Sequence, residues 1–189
     1  MNPASNLVLV GPMGAGKSSI GRYLARGFGL QFVDLDREIE RRTGASVRMI
    51  FDCEGEAGFR VRERTALADV LAGSGRVLAT GGGSVLDDRN RSLMRERGYV
   101  VYLMVSVAGQ LQRLGRDRSR PLLAGADREE VLQRLAGERG ALYREVADLE
   151  FDTGSAAAAT AATRLAGLLE QHWQRGAGAC GAPRGSRTA

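Results

Sequence analysis

The sequence predicts an α/β fold built on a mainly parallel sheet, and three observations predict it. Short apolar runs alternate with segments of helical period along the whole chain. The first apolar run leads straight into Gly-x-x-x-x-Gly-Lys-Ser. The next two runs end in groups suited to a ligand, Asp34 with Asp36 and Gly81-Gly82-Gly83, and open α/β sheets bind ligands beyond the carboxyl ends of their strands.

Residues 6–19, NLVLVGPMGAGKSS, read as a strand running into a P-loop. Gly11, Gly14 and Gly16 let the backbone adopt φ values other residues avoid and bring N–H groups close to a polyphosphate. Lys17 reaches the terminal phosphates, and the Ser18 hydroxyl is placed to ligate Mg²⁺. Ile20, Tyr23, Leu24 and Ala25 then recur at helical spacing, which sets the phosphates on a helix N-terminus. The chain carries 27 Lys plus Arg, yet Lys17 is its only lysine. A compact ammonium has been kept where a planar guanidinium would not substitute.

A second strand is expected at 30–33, then a polar helix at 36–42 closed by Gly44. Residues 46–51 predict one or two helical turns, and 54–71 a longer helix broken by Gly73-Ser74-Gly75. Residues 76–80 form the third strand, 87–97 a helix, and YVVYLMV at 99–105 the clearest buried strand. Ser106 can cap a helix ending near Gly115. The run RDRSRPLLAGA at 116–126 has no period and reads as a mobile loop. Asp127 with Glu130 gives a capping-box pattern opening a helix to about 147. A last strand at 149–152 and an alanine-rich helix at 155–175 follow, and the Gly- and Pro-rich residues 176–189 are expected to be disordered.

At 189 residues the chain fits one domain, with 43% hydrophobic and 26% charged residues as in an ordinary globular protein. No apolar run spans a bilayer and the start, MNPASN, lacks signal-peptide character, so a cytoplasmic protein with no membrane partner is expected. Cys53 and Cys180 are too few and too scattered for a disulfide framework or a zinc site. The net charge of +5 and pI near 9.8 could suggest nucleic acid. Arg175, Arg184 and Arg187 sit in a terminal segment, however, the other arginines are spread among acids, and an anionic small-molecule substrate explains the remaining charge at least as well; no nucleic-acid partner is expected, and a monomer is.

Among the chemistry-bearing residues, Asp34 and Asp36 can face one site, one holding the hydration shell of Mg²⁺ and the other accepting from a substrate hydroxyl; the same pair reads equally as a helix cap. The triplet 81–83 lets a ligand take backbone N–H groups, or simply makes a turn. Arg60 has Glu56 and Glu63 four and three residues away, a spacing that also suits a solvated salt-bridge face. Arg139 falls in line with Val131, Leu135, Leu142 and Val146, and a cation in an apolar stripe needs a partner, a cleft or room to snorkel. Arg116, Arg118 and Arg120 lie on the loop that can close over the P-loop. His172, the lone histidine, receives no role.

Together the segments GPMGAGKSS, FVDLD, GEAGFRVRE, GGGSVL, SRPLL, ERGALYREVAD and DT, in that order, resemble the shikimate kinase family of nucleoside-monophosphate-kinase-like P-loop proteins. The resemblance spans residues 6 to about 175 and implies a three-layer α/β/α P-loop kinase fold, with a five-stranded parallel sheet in the order 2-3-1-4-5 and a lid at about 115–126. It implies ATP-dependent phosphorylation of the shikimate 3-hydroxyl, with ATP and shikimate as partners and Mg²⁺ as cofactor. Gly14, Ala15, Gly16, Lys17, Ser18 and Ser19 would bind the ATP phosphates, Ser18 and, through water, Asp34 the metal. Asp36, Arg60, Gly81, Gly82, Gly83 and Arg139 would bind shikimate. Lys17, Asp36 and Arg120 would be catalytic, Arg120 and Arg113 contacting ATP, the latter against adenine. Residues 154–159, GSAAAA, depart from the polar and proline residues often found where the family covers adenine. A related gluconate kinase and a nucleotide-dependent regulatory module are the competing readings; charge alone does not exclude the first, but the FR, GGG and RPLL segments favour shikimate over it, and the intact set Lys17, Asp36, Arg60, Arg120 and Arg139 weighs against the second.

Overall fold

Five parallel strands form one sheet in the order β2-β3-β1-β4-β5, as expected. They are β1 (Asn6–Val10), β2 (Gln31–Asp34), β3 (Arg76–Ala79), β4 (Gly98–Met104) and β5 (Leu149–Asp152). The computed structural model describes residues 4–114 and 127–174; the expected lid at 115–126, with Arg116, Arg118 and Arg120, and the tail at 176–189 lie outside these residues. The central strand β1 pairs with β3 (Leu9 opposite Ala79) and with β4 (Leu9 opposite Val101), which explains why NLVLV is buried on both faces.

Alternation along the strands sorts the core into two layers. Leu7 and Leu9 point to α1 (Lys17–Phe28) and α7 (Ala158–His172), meeting Ile20, Leu24 and Leu165. Val8 and Val10 point the other way, into a cluster with Leu35, Leu67, Leu71, Leu78 and Tyr143. That layer comes from α2 (Leu35–Thr43), α3 (Val47–Ala72), α4 (Asp88–Arg97) and α6 (Arg128–Val146). A buried leucine such as Leu67 contributes about 2 kcal/mol of transfer free energy, and truncating it to alanine would cost about 2–5 kcal/mol. The helix α5 (Val107–Leu114) joins α6 in a smaller cluster of Leu114 and Leu132 that also touches Met13 of the P-loop.

Several boundaries differ from the sequence reading for local reasons. The two helices expected at 46–51 and 54–71 are both present within the span of α3, and the kink between them lies at Gly55 (φ 70°, ψ −175°), inside the range expected for the second. Gly154 takes a left-handed φ of 50° and donates to Asp152, so the last helix starts at Ala158 rather than 155. A 3-10 turn at Ser84–Leu86, not foreseen, follows the glycine triplet. Asp127 caps α6 by accepting from the N–H groups of Glu129 and Glu130.

Two polar side chains tie the far edge of the sheet, where β1 begins. The Asn6 amide donates to the carbonyls of Gly73 and Arg97 and accepts from the Arg76 N–H, bracing β1 against the entries to both neighbours. The Trp173 indole donates to the Ala4 carbonyl at 2.7 Å and packs on Phe28 and Tyr99.

Candidate functional site

At the carboxyl ends of the strands the chain opens a cleft of about 630 Å³. Its walls bring together residues 13–20, Asp34, Asp36, Arg60, residues 80–83, Arg113 and Arg139. All the candidate site residues in the described chain therefore share one cavity.

The P-loop has the geometry its sequence requires. Gly14 and Gly16 take φ values of 78° and 89°, which side chains rarely adopt, and a Cβ on Gly11 would collide with the Leu103 carbonyl. The loop opens directly into α1, so the helix N-terminus faces the cleft. Lys17 folds its ammonium onto the loop's own carbonyls, 2.7 Å from Gly11 and 2.9 Å from Pro12. Ser18 Oγ donates to Asp34 Oδ2 at 2.5 Å. Asp34 also caps α2 through the Arg37 N–H, so the metal-shell and helix-cap readings of this residue are compatible. Two adjacent oxygen donors beside a phosphate loop suit a hard divalent cation, with phosphate and water completing the shell.

Asp36, in the first turn of α2, stands against the glycine triplet: a Cβ built on Gly81 would lie 3.1 Å from Asp36 Oδ1. It would also lie 3.0 Å from Glu63 Oε1 and 3.3 Å from Ser84 Oγ. A Cβ on Gly83 would strike the Arg60 guanidinium. The triplet thus makes room for ionic side chains from two helices.

Arg60 is not on a solvated face. Its guanidinium pairs with Glu56 at 2.8 Å and with Glu63 at 2.7 Å, and Glu63 is fully buried. Burial works against the Arg60 charge, but Glu63 and then Glu56 outweigh it, holding the group above its ordinary value. Glu63 in turn accepts from Ser84 Oγ at 2.5 Å, and the Asn90 amide holds the Ser84 carbonyl.

On α6 the buried stripe is Leu132, Leu135, Arg139, Tyr143 and Val146; Val131 and Leu142, read earlier as part of it, are only partly buried. Arg139 is 7% exposed, and its Nε has no hydrogen-bond partner. A buried donor left unmatched at the edge of a cleft costs about 1–3 kcal/mol, a cost that an anionic ligand would remove. Tyr143 donates to the Gly82 carbonyl at 2.5 Å and stacks on Tyr102. Burial pushes its phenol up to about 12, with Arg139 pulling the other way, so it remains a donor at neutral pH. Arg113 spans the other end of the cleft, donating to Gly14 and Gly154 carbonyls and, at 3.1 Å, to Thr153 Oγ1.

Ser84, Tyr143 and Thr153 are site-forming residues that the sequence reading assigned no role. Helical spacing had offered Glu63 only as a partner for Arg60, and nothing in spacing distinguishes a buried carboxylate from a solvated one.

The sequence matches the family profile described as Shikimate kinase over residues 13–170. A shikimate kinase of Stenotrophomonas maltophilia (strain K279a) is 57% identical over 175 residues, 93% of this chain and 97% of that one. One from Xanthomonas campestris pv. campestris (strain 8004) is 53% identical over 174 residues, covering 92% and 97%. Among solved structures, the shikimate kinase from Acinetobacter baumannii in complex with shikimate superposes with a TM-score of 0.86 at 45% identity, covering 90% of this chain and 95% of that one.

Proposed function

The chain belongs to the shikimate kinase family, and from that premise we propose how its residues transfer the terminal phosphoryl group of ATP to the 3-hydroxyl of shikimate. The products are shikimate 3-phosphate and ADP, in the pathway to aromatic amino acids. One observation carries the assignment of residues: the P-loop with Lys17 and the guanidinium groups of Arg60 and Arg139 line a single cleft, with Asp36 in the same wall.

The backbone N–H groups of residues 14–19 and the N-terminus of α1 hold the phosphates of ATP. Lys17 leaves the Gly11 and Pro12 carbonyls to reach the terminal phosphates, exchanging two neutral acceptors for an anion. Ser18 and, through water, Asp34 would hold Mg²⁺, which supplies charge neutralisation at the phosphoryl oxygens when bound. Arg60 and Arg139 grip the shikimate carboxylate, the first braced by Glu63, the second offering its unmatched Nε. Gly81 to Gly83 give the ring access to the backbone.

Asp36 accepts the hydrogen bond of the attacking hydroxyl and orients it toward the phosphate. Most of the rate then comes from alignment and electrostatics rather than covalent chemistry. Arg113 lies against the base of the nucleotide. Arg120, outside the described residues, is assigned the developing phosphoryl charge from the sequence resemblance. Residues 1–175 act as one catalytic unit, a monomer in the cytoplasm. Among the described residues, no helix is long and apolar enough to cross a membrane.

A coupled assay of ADP release with ATP and shikimate tests the reaction. Turnover that depends on shikimate is expected; ADP release no faster than without shikimate overturns the assignment.

A further inference from the structure

The residues just assigned to shikimate sit on separate elements: Arg139 on α6, the glycine triplet after β3, Arg60 on α3. Something must fix α6 relative to the triplet, because a carboxylate held by two guanidinium groups is sensitive to displacements of about 1 Å. The described structure offers one direct polar tie between α6 and the triplet, the bond from the Tyr143 hydroxyl to the Gly82 carbonyl at 2.5 Å.

Three features make Tyr143 suited to that task. It lies four residues, one helical turn, beyond Arg139 on the same buried stripe, so the position of its ring and the position of the guanidinium move together. Its ring is 2% exposed and stacked on Tyr102 of β4 with centroids 5.0 Å apart, which anchors it to the central sheet rather than to a mobile loop. Its acceptor is a junction: a Cβ built on Gly82 would lie 3.7 Å from the Tyr143 hydroxyl, from the Gly11 carbonyl and from the Met13 amide alike. At Gly82 the arginine-bearing helix, the glycine turn and the P-loop come within one contact of each other.

We propose that Tyr143 is a positioning residue for shikimate: its hydroxyl clamps the Gly82 carbonyl and thereby sets the distance between Arg139 and the glycine turn. It touches neither substrate. The carbonyl it holds also fixes the plane of the peptide to Gly83, whose α-carbon has the Arg60 guanidinium against it, so both shikimate arginines are referenced to the same phenol. The inference rests on shikimate as the substrate of this cleft.

Kinetics of Tyr143→Phe and Tyr102→Phe test it, each with shikimate and ATP varied in turn and with thermal melting recorded. Both variants keep the stacked rings, but only the first loses the bond to Gly82. Loss of one hydrogen bond predicts a KM for shikimate about three- to tenfold higher in Tyr143→Phe, with the KM for ATP and kcat within about twofold of the parent. Tyr102→Phe is expected to leave the KM for shikimate unchanged. An unchanged KM for shikimate in Tyr143→Phe overturns the proposal, as does an equal rise for both substrates or an equal effect of the two variants. Absence of shikimate-dependent turnover in the parent would instead overturn the assignment of the substrate, so the two failures are distinguishable.

Discussion

Glu63 pairs with Arg60 at 2.7 Å from a position without solvent exposure, while its second oxygen takes the Ser84 hydroxyl at 2.5 Å. The pair converts a long flexible cation into a fixed one, because the guanidinium can leave only by abandoning a buried charge. Glu63→Ala is expected to destabilise the fold by about 3 kcal/mol, the low end of the range for breaking a buried pair, since Arg60 keeps some solvent contact. Glu63→Gln keeps a partner for Ser84 and is expected to raise the KM for shikimate about tenfold with a smaller loss of stability. Chemical denaturation and steady-state kinetics on both variants check this; a Glu63→Gln enzyme with the parent's KM would show that Arg60 needs no such brace.

On the proposed assignment, Arg139→Ala removes a charge-assisted grip on the substrate carboxylate and is expected to raise the KM for shikimate about 10- to 100-fold. The KM for ATP should move by less than about threefold, because the P-loop is on other elements. Equal rises in both constants would show that the guanidinium serves the cleft as a whole.

Two glycine substitutions differ only in what the added methyl meets. On Gly82 a Cβ finds its neighbours at 3.7 Å, ordinary contact, whereas on Gly83 it strikes the Arg60 guanidinium. Gly82→Ala should therefore melt within a few degrees of the parent, whereas Gly83→Ala should displace Arg60 and raise the KM for shikimate at least about tenfold. Paired melting curves and kinetics decide it: an undisturbed KM in Gly83→Ala contradicts the packing.

Lys17→Arg keeps the charge but not the shape. A planar fork has to fit where one ammonium now contacts the Gly11 and Pro12 carbonyls. Catalysis is expected to fall by about two orders of magnitude or more, the scale for losing a preorganised charge at the reacting phosphate. Retention of more than a tenth of kcat would mean that position 17 reads charge alone.

The clamp on α2, the helix that carries Asp36, responds to acid. Hydrogen bonds from Arg41 and then Arg42 hold the Glu38 carboxyl at about 2, below its ordinary 4.5. Because the folded value is the lower one, the stabilisation is present above about pH 4.5 and is lost as the pH falls toward 2. The Arg41 side chain is 71% exposed, and solvent screening trims the effect to about 1 kcal/mol. Urea unfolding of Glu38→Gln should differ from the parent by that amount at pH 7 and converge with it near pH 2; a constant gap would place the effect elsewhere.

Much of this architecture is legible in the residues. The P-loop follows from local rules, since Gly14 and Gly16 need left-handed backbone and Lys17 needs an anion, and sequence order alone puts both at a strand end. Asp34 and the triplet follow from the same logic. Depth is what sequence conceals. The spacing of Glu56, Arg60 and Glu63 is identical for a solvated ladder and for a pair with one member in the core, and only the packing of α3 against the turn at Ser84 separates them. The expected stripe on α6 is right at Leu135, Arg139 and Val146 and one residue early at Val131 and Leu142, because adjacent apolar positions fit a helical period equally well and Tyr143 carries a polar group. Two helices are expected at 46–51 and 54–71, and two are found; the kink that separates them falls at Gly55, inside the span expected for the second, because only a glycine there takes that backbone without strain.

The indole that ties Ala4 to the end of α7 is the chain's single tryptophan, and it lies at the edge of the sheet opposite the cleft. Its emission is therefore a gauge of whether the layer of α1 and α7 remains closed on the sheet, and the indole lies outside the lining of the cleft. Fluorescence will follow unfolding in every variant above without confusing a weakened fold with an emptied site, and occupancy must be followed by calorimetry or turnover instead.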